Sequence, residues 1–148
     1  KPALYALYGG VGLFGIGLID QAQKAILIED CIPSLRLARY NKDINELDNF
    51  DIINGKVEDE FQNLIETEGG HANVAIIDPP RAGLSQRANS LLAKTKQLDF
   101  ILYLSCNPES LSHNLAEFLR QGWDIDKVIP IDFFPKTKHI ETLVLLKH

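Results

Sequence analysis

Short apolar runs alternating with amphipathic stretches constrain the fold of this 148-residue chain more than any other feature. The runs are "ALYALY" (3–8), "KAILIE" (24–29), "FDIIN" (50–54), "NVAIID" (73–78), "FILYLS" (100–105), "WDIDKVIPI" (123–131) and "ETLVLL" (141–146). Each is rich in β-branched, aromatic or leucine side chains and bounded by polar residues, as strands are. Helical periodicity lies between them. Residues 34–46 carry Leu35, Leu37, Ala38 and Ile44, and residues 57–66 carry Val57, Phe61, Leu64 and Ile65. Residues 109–120 place Leu111, Leu115, Phe118 and Leu119 on one face. Pro33 and Pro108 fall at or near helix starts, where a missing N–H costs little. This βαβα rhythm predicts a parallel sheet covered on both faces. The last two runs are separated only by "DFFPKTKHI" (132–140), too short for a parallel crossover, so they are expected to close the sheet as an antiparallel hairpin.

A hydrophobic share of 45% and a charged share of 24% are those of one globular domain. No apolar run approaches the roughly 20 residues needed to cross a bilayer, and nothing reads as a signal peptide. Two cysteines, Cys31 and Cys106, are too few for a disulfide scaffold or a four-cysteine metal site, so a reducing cytoplasm is the expected compartment. The chain holds no Met and begins at Lys1, which reads as a fragment of a longer polypeptide. Fifteen basic against twenty acidic residues give a net charge of −5, which argues against this segment alone gripping a nucleic acid. A nucleic-acid substrate stays open if a further segment carries the positive surface.

In open α/β sheets, ligands bind on the loops that follow the carboxyl ends of the strands. Four such loops stand out. After the first strand, Gly10, Gly12 and Gly15 satisfy G-x-G-x-x-G, and Glu29 ends the second strand 19 residues beyond Gly10. That spacing fits an acidic residue on a ribose hydroxyl, but by itself it admits a dinucleotide, another adenosine cofactor, or a ligand-free βα turn. After the fourth strand comes "DPPRAG" (78–83), in which Pro79 holds Asp78 extended. Two prolines beside Arg81 and Gly83 are more than a plain turn requires. After the fifth strand comes "SCNP" (105–108). Cys106 there abuts a helix N-terminus, whose positive end favours a nucleophilic thiol, against the bland reading of a buried, inert one. Glu141, opening the last strand beside the core-like "TLVLL", is a carboxylate that needs a reason. Cys31 reads as a small packed residue, and Lys138 and His139 as solvated loop residues. His71, His113 and His148 have no ligand-like spacing, so no metal site is expected.

"LYGGVG", "DPPRAGL", "YLSCNPESL" and "PIDFFPKTKHIETLVLL", in this order along nearly the whole chain, resemble the catalytic domain of the RNA uracil-5-methyltransferases, which depend on S-adenosylmethionine. The resemblance implies the class I methyltransferase (Rossmann-like) fold, with 1–148 as the catalytic domain and an RNA-binding part outside it. It implies Cys106 as nucleophile toward uracil C6 and Glu141 as the base that removes the C5 proton. It implies further that Tyr8, Gly10 and Gly12 line the cofactor, that Glu29 accepts its ribose hydroxyls, and that Asp78 stands between cofactor and uracil. The expected partner is a transfer or ribosomal RNA, with no membrane and no metal. Arg81 is a candidate for a substrate phosphate or a uracil oxygen, on its place rather than on a motif. The chain departs from the family pattern at Ala6, where the family is usually acidic, at Leu13, where it usually has Thr or Asn, and around Lys56 in "NGKVED", where it usually has an Asp or Asn; all three are expected on the cofactor side.

Two other readings stay in view. A nicotinamide-dependent oxidoreductase explains the glycines and Glu29, but leaves "SCNP" without a role and would keep its sheet parallel to the end. A degenerate module that binds cofactor or RNA without catalysis would account for Ala6, Leu13 and Lys56, but not for Cys106 and Glu141.

Overall fold

The computed structural model describes residues 1–68, 73–133, 135 and 140–148. Its strands are β1 (Ala3–Leu7), β2 (Lys24–Glu29), β3 (Phe50–Asn54), β4 (Asn73–Ile77), β5 (Phe100–Ser105), β6 (Asp124–Ile131) and β7 (Glu141–Lys147). Between them lie α1 (Leu13–Gly17), α2 (Ile32–Ile44), α3 (Val57–Glu68), α4 (Gln86–Lys94) and α5 (Pro108–Arg120), with a 3-10 turn at Ile19–Gln21. The strands form one seven-stranded sheet in the order β3-β2-β1-β4-β5-β7-β6. All pairs are parallel except β5 with β7 and β6 with β7, which are antiparallel. The expected ending is therefore present, and a sheet parallel to its edge is excluded.

A sheet covered on both faces needs strands that are apolar throughout, and β1 meets this with all five residues buried. Alternate residues serve opposite faces. Tyr5 and Leu7 join Ile26, Ile28, Phe61, Tyr103 and Trp123 beneath α3, α4 and α5. Leu4 and Ala6 join Leu27, Phe50, Leu35 and Ala38 beneath α1 and α2. Tyr5 and Phe61 meet edge to face at 5.4 Å, and Trp123 donates its Nε1–H to the Ala93 carbonyl at 2.9 Å, so the buried indole leaves no polar group bare.

The helix periodicities hold with two refinements and one omission; on α5 Leu111 and Phe118 are buried and Leu115 partly so, while Leu119, expected on the same face, is exposed. Val57, Phe61, Leu64 and Ile65 are all buried. On α2 only Leu35 and Ala38 are buried, while Leu37 and Ile44 face solvent, because α2 lays a narrow face on the sheet. Helix α4 was not foreseen. Its signals were present: Ser85 caps it by accepting the Ala88 N–H at 3.1 Å, and Ala88, Leu92 and Ala93 supply the buried face. Pro33 and Pro108 both sit in first helical turns, as expected. Cys31, expected to be packed, is exposed at the N-cap of α2.

Phe50 is the anvil for the glycine loop. A Cβ on Gly15 would stand 2.5 Å from Phe50 Cε2, so α1 can lie on this ring only without a side chain there. Gly15→Val is expected to lower stability by about 1–3 kcal/mol through overpacking, read as a lower midpoint in urea unfolding.

Candidate active site

The first turn beyond β1 is sharply bent. Tyr8 and Gly10 adopt φ of 57° and 55°, and Gly12 adopts 93°. This left-handed backbone folds the loop back so that Gly9 N–H reaches the Ile28 carbonyl at 3.2 Å. A Cβ on Gly10 would meet nothing within 4 Å, so this backbone borders open space. Glu29, at the end of β2, fixes the loop. Its Oε2 accepts the Gly10 N–H at 2.9 Å, and its Oε1 accepts the N–H groups of Asp30 and Cys31 at 2.9 and 2.8 Å. Spacing alone suggested a ligand contact for Glu29; the structure adds a scaffolding role that joins the β1 and β2 loops. Gly55 N–H donates to the Glu29 carbonyl at 3.0 Å, and Asp78 N–H to the Leu7 carbonyl at 3.2 Å, so all four strand ends are tied at one edge.

These loops enclose a cleft of about 200 Å³ whose lining includes Tyr8, Glu29, Asp30, Lys56, Glu58 and Pro80. Of the three departures from the family pattern, only Lys56 borders it. Ala6 is 2% exposed within the core beneath α1 and α2, and Leu13 projects into solvent at 71% exposure. The expectation that all three face the cofactor is corrected for Ala6 alone; Leu13 directly follows the glycine loop and is exposed. A larger groove of about 680 Å³ runs between α4 and α5, but Asp78, Cys106 and Glu141 do not line it. Those three residues do not line the smaller cleft either; of the candidate site residues it takes Tyr8 and Glu29.

The antiparallel ladder brings the two segments to one end of the sheet. Ser105, the last residue of β5, pairs with Thr142 of β7, so Cys106, in the bend that follows β5, and Glu141, the first residue of β7, each flank that closing pair. Both residues are half-buried. Asn107 caps α5 by accepting the Glu109 N–H at 3.1 Å, which leaves Cys106 just outside the helix start. Ser105 is buried and fixes the bend: its Oγ donates to the Asn107 carbonyl at 2.9 Å and accepts the Asn107 N–H at 3.1 Å.

Asp78 stands at the mouth of the site. Burial of its carboxyl pushes the pKa above the usual carboxylate range, and the charge of Glu141 pushes it further. Tyr8 is held firmly as the neutral phenol, first by burial and then by Glu58, Tyr103 and Asp30. Tyr103 likewise stays neutral, chiefly by burial and additionally by Cys106. Tyr103 is thus within electrostatic reach of both Tyr8 and Cys106, and Asp78 within reach of Glu141. Tyr103 was missed in the sequence; the signal available was a phenol in an otherwise apolar strand, which needs a partner when buried. Arg81 is exposed, and its carbonyl accepts from Asn107 Nδ2 at 3.2 Å and from Ser110 Oγ at 3.1 Å. His71, Lys138 and His139 lie outside the described residues. Among the described residues no group of three His, Cys, Asp or Glu side chains is placed to hold a metal ion, and no helix is long and apolar enough to cross a membrane.

A family model described as tRNA (Uracil-5-)-methyltransferase matches residues 1–148. The chain belongs to this family. It is 33% identical over 147 residues to an uncharacterised RNA methyltransferase of Clostridium acetobutylicum, covering 99% of this chain and 32% of that protein. It is 34% identical over 146 residues to the human tRNA (uracil-5-)-methyltransferase homolog A, covering 93% of this chain and 23% of the relative. The solved Pyrococcus abyssi tRNA (uracil-54, C5)-methyltransferase, in complex with S-adenosyl-L-homocysteine, matches with a TM-score of 0.78 at 28% identity. That match covers 99% of this chain and 34% of the archaeal one. The chain therefore spans about a quarter to a third of the length of these uracil-5-methyltransferase relatives. Its fold is the methyltransferase form of the Rossmann-like sheet, as the antiparallel ending foretold.

Because Glu141 raises the Asp78 pKa, Glu141→Gln is expected to lower it. Burial is unchanged in that variant, so the value should stay above that of a solvated aspartate. The midpoint of the Asp78 carboxyl ¹³C shift against pH reads both effects.

Proposed function

We propose that this chain is the catalytic part of an enzyme that transfers a methyl group from S-adenosylmethionine to C5 of a uridine in RNA. The observation that carries the reading is the pairing of Ser105 with Thr142, beside which Cys106, in the bend after β5, and Glu141, opening β7, come to the same end of the sheet. The family, and the methyl donor's product in the archaeal relative, support the cofactor. The cleft's own chemistry fits it. Glu29, Asp30 and Glu58 face Lys56 alone among basic residues of the lining, a balance that favours a cationic sulfonium over a pyrophosphate. The backbone at Gly10 and Gly12, with Tyr8, lines the cofactor, and the lone pair left on Glu29 Oε2 accepts a ribose hydroxyl beyond the N–H groups the carboxylate already serves.

When bound, the cofactor supplies an electrophilic methyl group to a carbon nucleophile. Uracil C5 is too weak a nucleophile unaided, and the residues of this chain correct that. The Cys106 thiolate adds to C6, the C5=C6 π electrons move onto C5 and O4, and C5 becomes the nucleophile. After methylation, Glu141 accepts the C5 proton while the Cys106–C6 bond breaks and C5=C6 re-forms. Asp78, with its raised pKa, suits a place beside the uracil edge, where a proton can be given or shared. The target base has to leave its stack to reach both groups. Arg81, exposed on the same edge, suits a phosphate or uracil oxygen. With a net charge of −5 on this chain, the bulk of the RNA grip belongs to the rest of the longer protein.

RNA carrying 5-fluorouridine tests the mechanism, because fluorine cannot leave as a proton does. The full-length protein should form a covalent complex with such RNA in the presence of cofactor, and Cys106→Ala should form none. A complex that survives Cys106→Ala overturns the nucleophile assignment. With ordinary uridine RNA, Glu141→Gln should slow release of the covalent intermediate by about 10²–10⁴-fold, seen as a long-lived protein–RNA band. Unchanged turnover and RNA affinity in Arg81→Ala would remove Arg81 from the site.

A further inference from the structure

One face of α5 grips the loop that carries Asp78. Asn107, Ser110 and Asn114 recur at helical spacing and present their polar groups to residues 81–84. Asn107 Nδ2 and Ser110 Oγ hold the Arg81 carbonyl, and Asn114 holds Leu84. The Asn114 amide does most. Its Oδ1 accepts the Leu84 N–H at 2.9 Å and the Tyr103 hydroxyl at 2.7 Å, while its Nδ2 donates to the Leu84 carbonyl at 3.4 Å. Asn89 of α4 donates to the Asn114 carbonyl at 3.2 Å. The fit is close: a Cβ on Gly83, whose φ is +80°, would stand 2.5 Å from Asn114 Oδ1. One amide therefore joins three elements, namely the Asp78 loop, the strand that leads into Cys106, and the helix that follows it.

We propose that Asn114 is a positioning residue, which sets the separation between the Cys106 thiol and the Asp78 loop across the site. The inference rests on the methyltransferase reading above. Tyr103, fully buried three residues before Cys106, gives its proton to this amide, so the strand end cannot rotate without breaking that bond. Pro80, Gly83 and Ser85 of the clasped loop also line the cofactor cleft, so the same bond holds one wall of that cleft. Reacting groups displaced by about 1 Å can lose about 10²-fold in rate, which makes such a clasp consequential without any contact to substrate.

Two variants of the full-length protein separate positioning from folding. Asn114→Leu keeps the volume and removes every hydrogen bond; Asn114→Asp keeps the acceptor oxygen for Leu84 and Tyr103. Asn114→Leu is expected to lower kcat by about tenfold or more with the KM for RNA held within about twofold, and Asn114→Asp to recover to within about threefold of the parent. The rate of Cys106 alkylation by iodoacetamide, read peptide by peptide in the mass spectrometer, should change in Asn114→Leu and return in Asn114→Asp. A kcat in Asn114→Leu equal to the parent's overturns the proposal, as does an Asp variant as impaired as the Leu one. If Asn114→Leu does not fold, Tyr103→Phe decides: it removes one hydroxyl, and an unchanged kcat overturns the clasp. If the parent forms no fluorouridine adduct while Cys106 alkylation still follows residue 114, the methylation reading falls and the clasp stands.

Discussion

An antiparallel ladder has a side-chain period of two, so a slip of one residue between β5 and β7 would carry every side chain to the opposite face. Such a slip is prevented by what the strands bury. Ile101 faces Leu146 and Tyr103 faces Val144, and all four are fully enclosed in the core beneath α3, α4 and α5. Those apolar pairs dictate that Ser105 meets Thr142, and with it that the segments carrying Cys106 and Glu141 end on the same side of the sheet. Hydrophobic burial thus sets the geometry of a polar site several residues away.

Around that rung, polar groups are arranged so that few can drift. Glu29 gathers three backbone N–H groups, Ser105 both gives to and takes from Asn107, and Asn114 joins loop, strand and helix. Each of these side chains saturates backbone groups that the turns leave bare, which is how sharply bent loops at strand ends avoid the cost of unpaired donors. The same crowding withdraws solvent from Tyr8 and Tyr103 and in part from the carboxyl of the otherwise exposed Asp78, and raises all three pKa values. Rigidity and tuned acidity share one cause here.

Strand runs, helical periodicity and the short final connection were all readable in the chain, because each is a local pattern that burial enforces. The identity of the cleft's contents was not readable in Gly10, Gly12, Gly15 and Glu29, since a tight βα turn and two kinds of cofactor use the same glycines. It became readable through "SCNP" and the carboxylate at Glu141, whose residue types packing does not require. Contacts between distant segments stayed hidden. Nothing in the spacing of Asn114 or Tyr103 says that the two share a hydrogen bond, and nothing about Ala6 said that it turns into the core and away from the cleft. Cys31 was misjudged for a related reason: a small apolar-looking residue before a helix has no local signal that tells a buried cap from a solvent-facing one.

Strand β6 ends the sheet, and nearly all of it is open to solvent, including Ile125, Val128 and Ile129. A free edge with apolar residues on it is a template on which another strand can assemble, and a chain bearing one is at risk of stacking with its own copies. The sequence blunts that risk where it can. Asp124, Asp126 and Lys127 place charge along the strand, a register irregularity falls between Ile125 and Lys127, and Pro130 has no N–H to offer an incoming neighbour. Colloidal behaviour of this chain therefore hangs on a single proline and a few charges at one rim of its sheet.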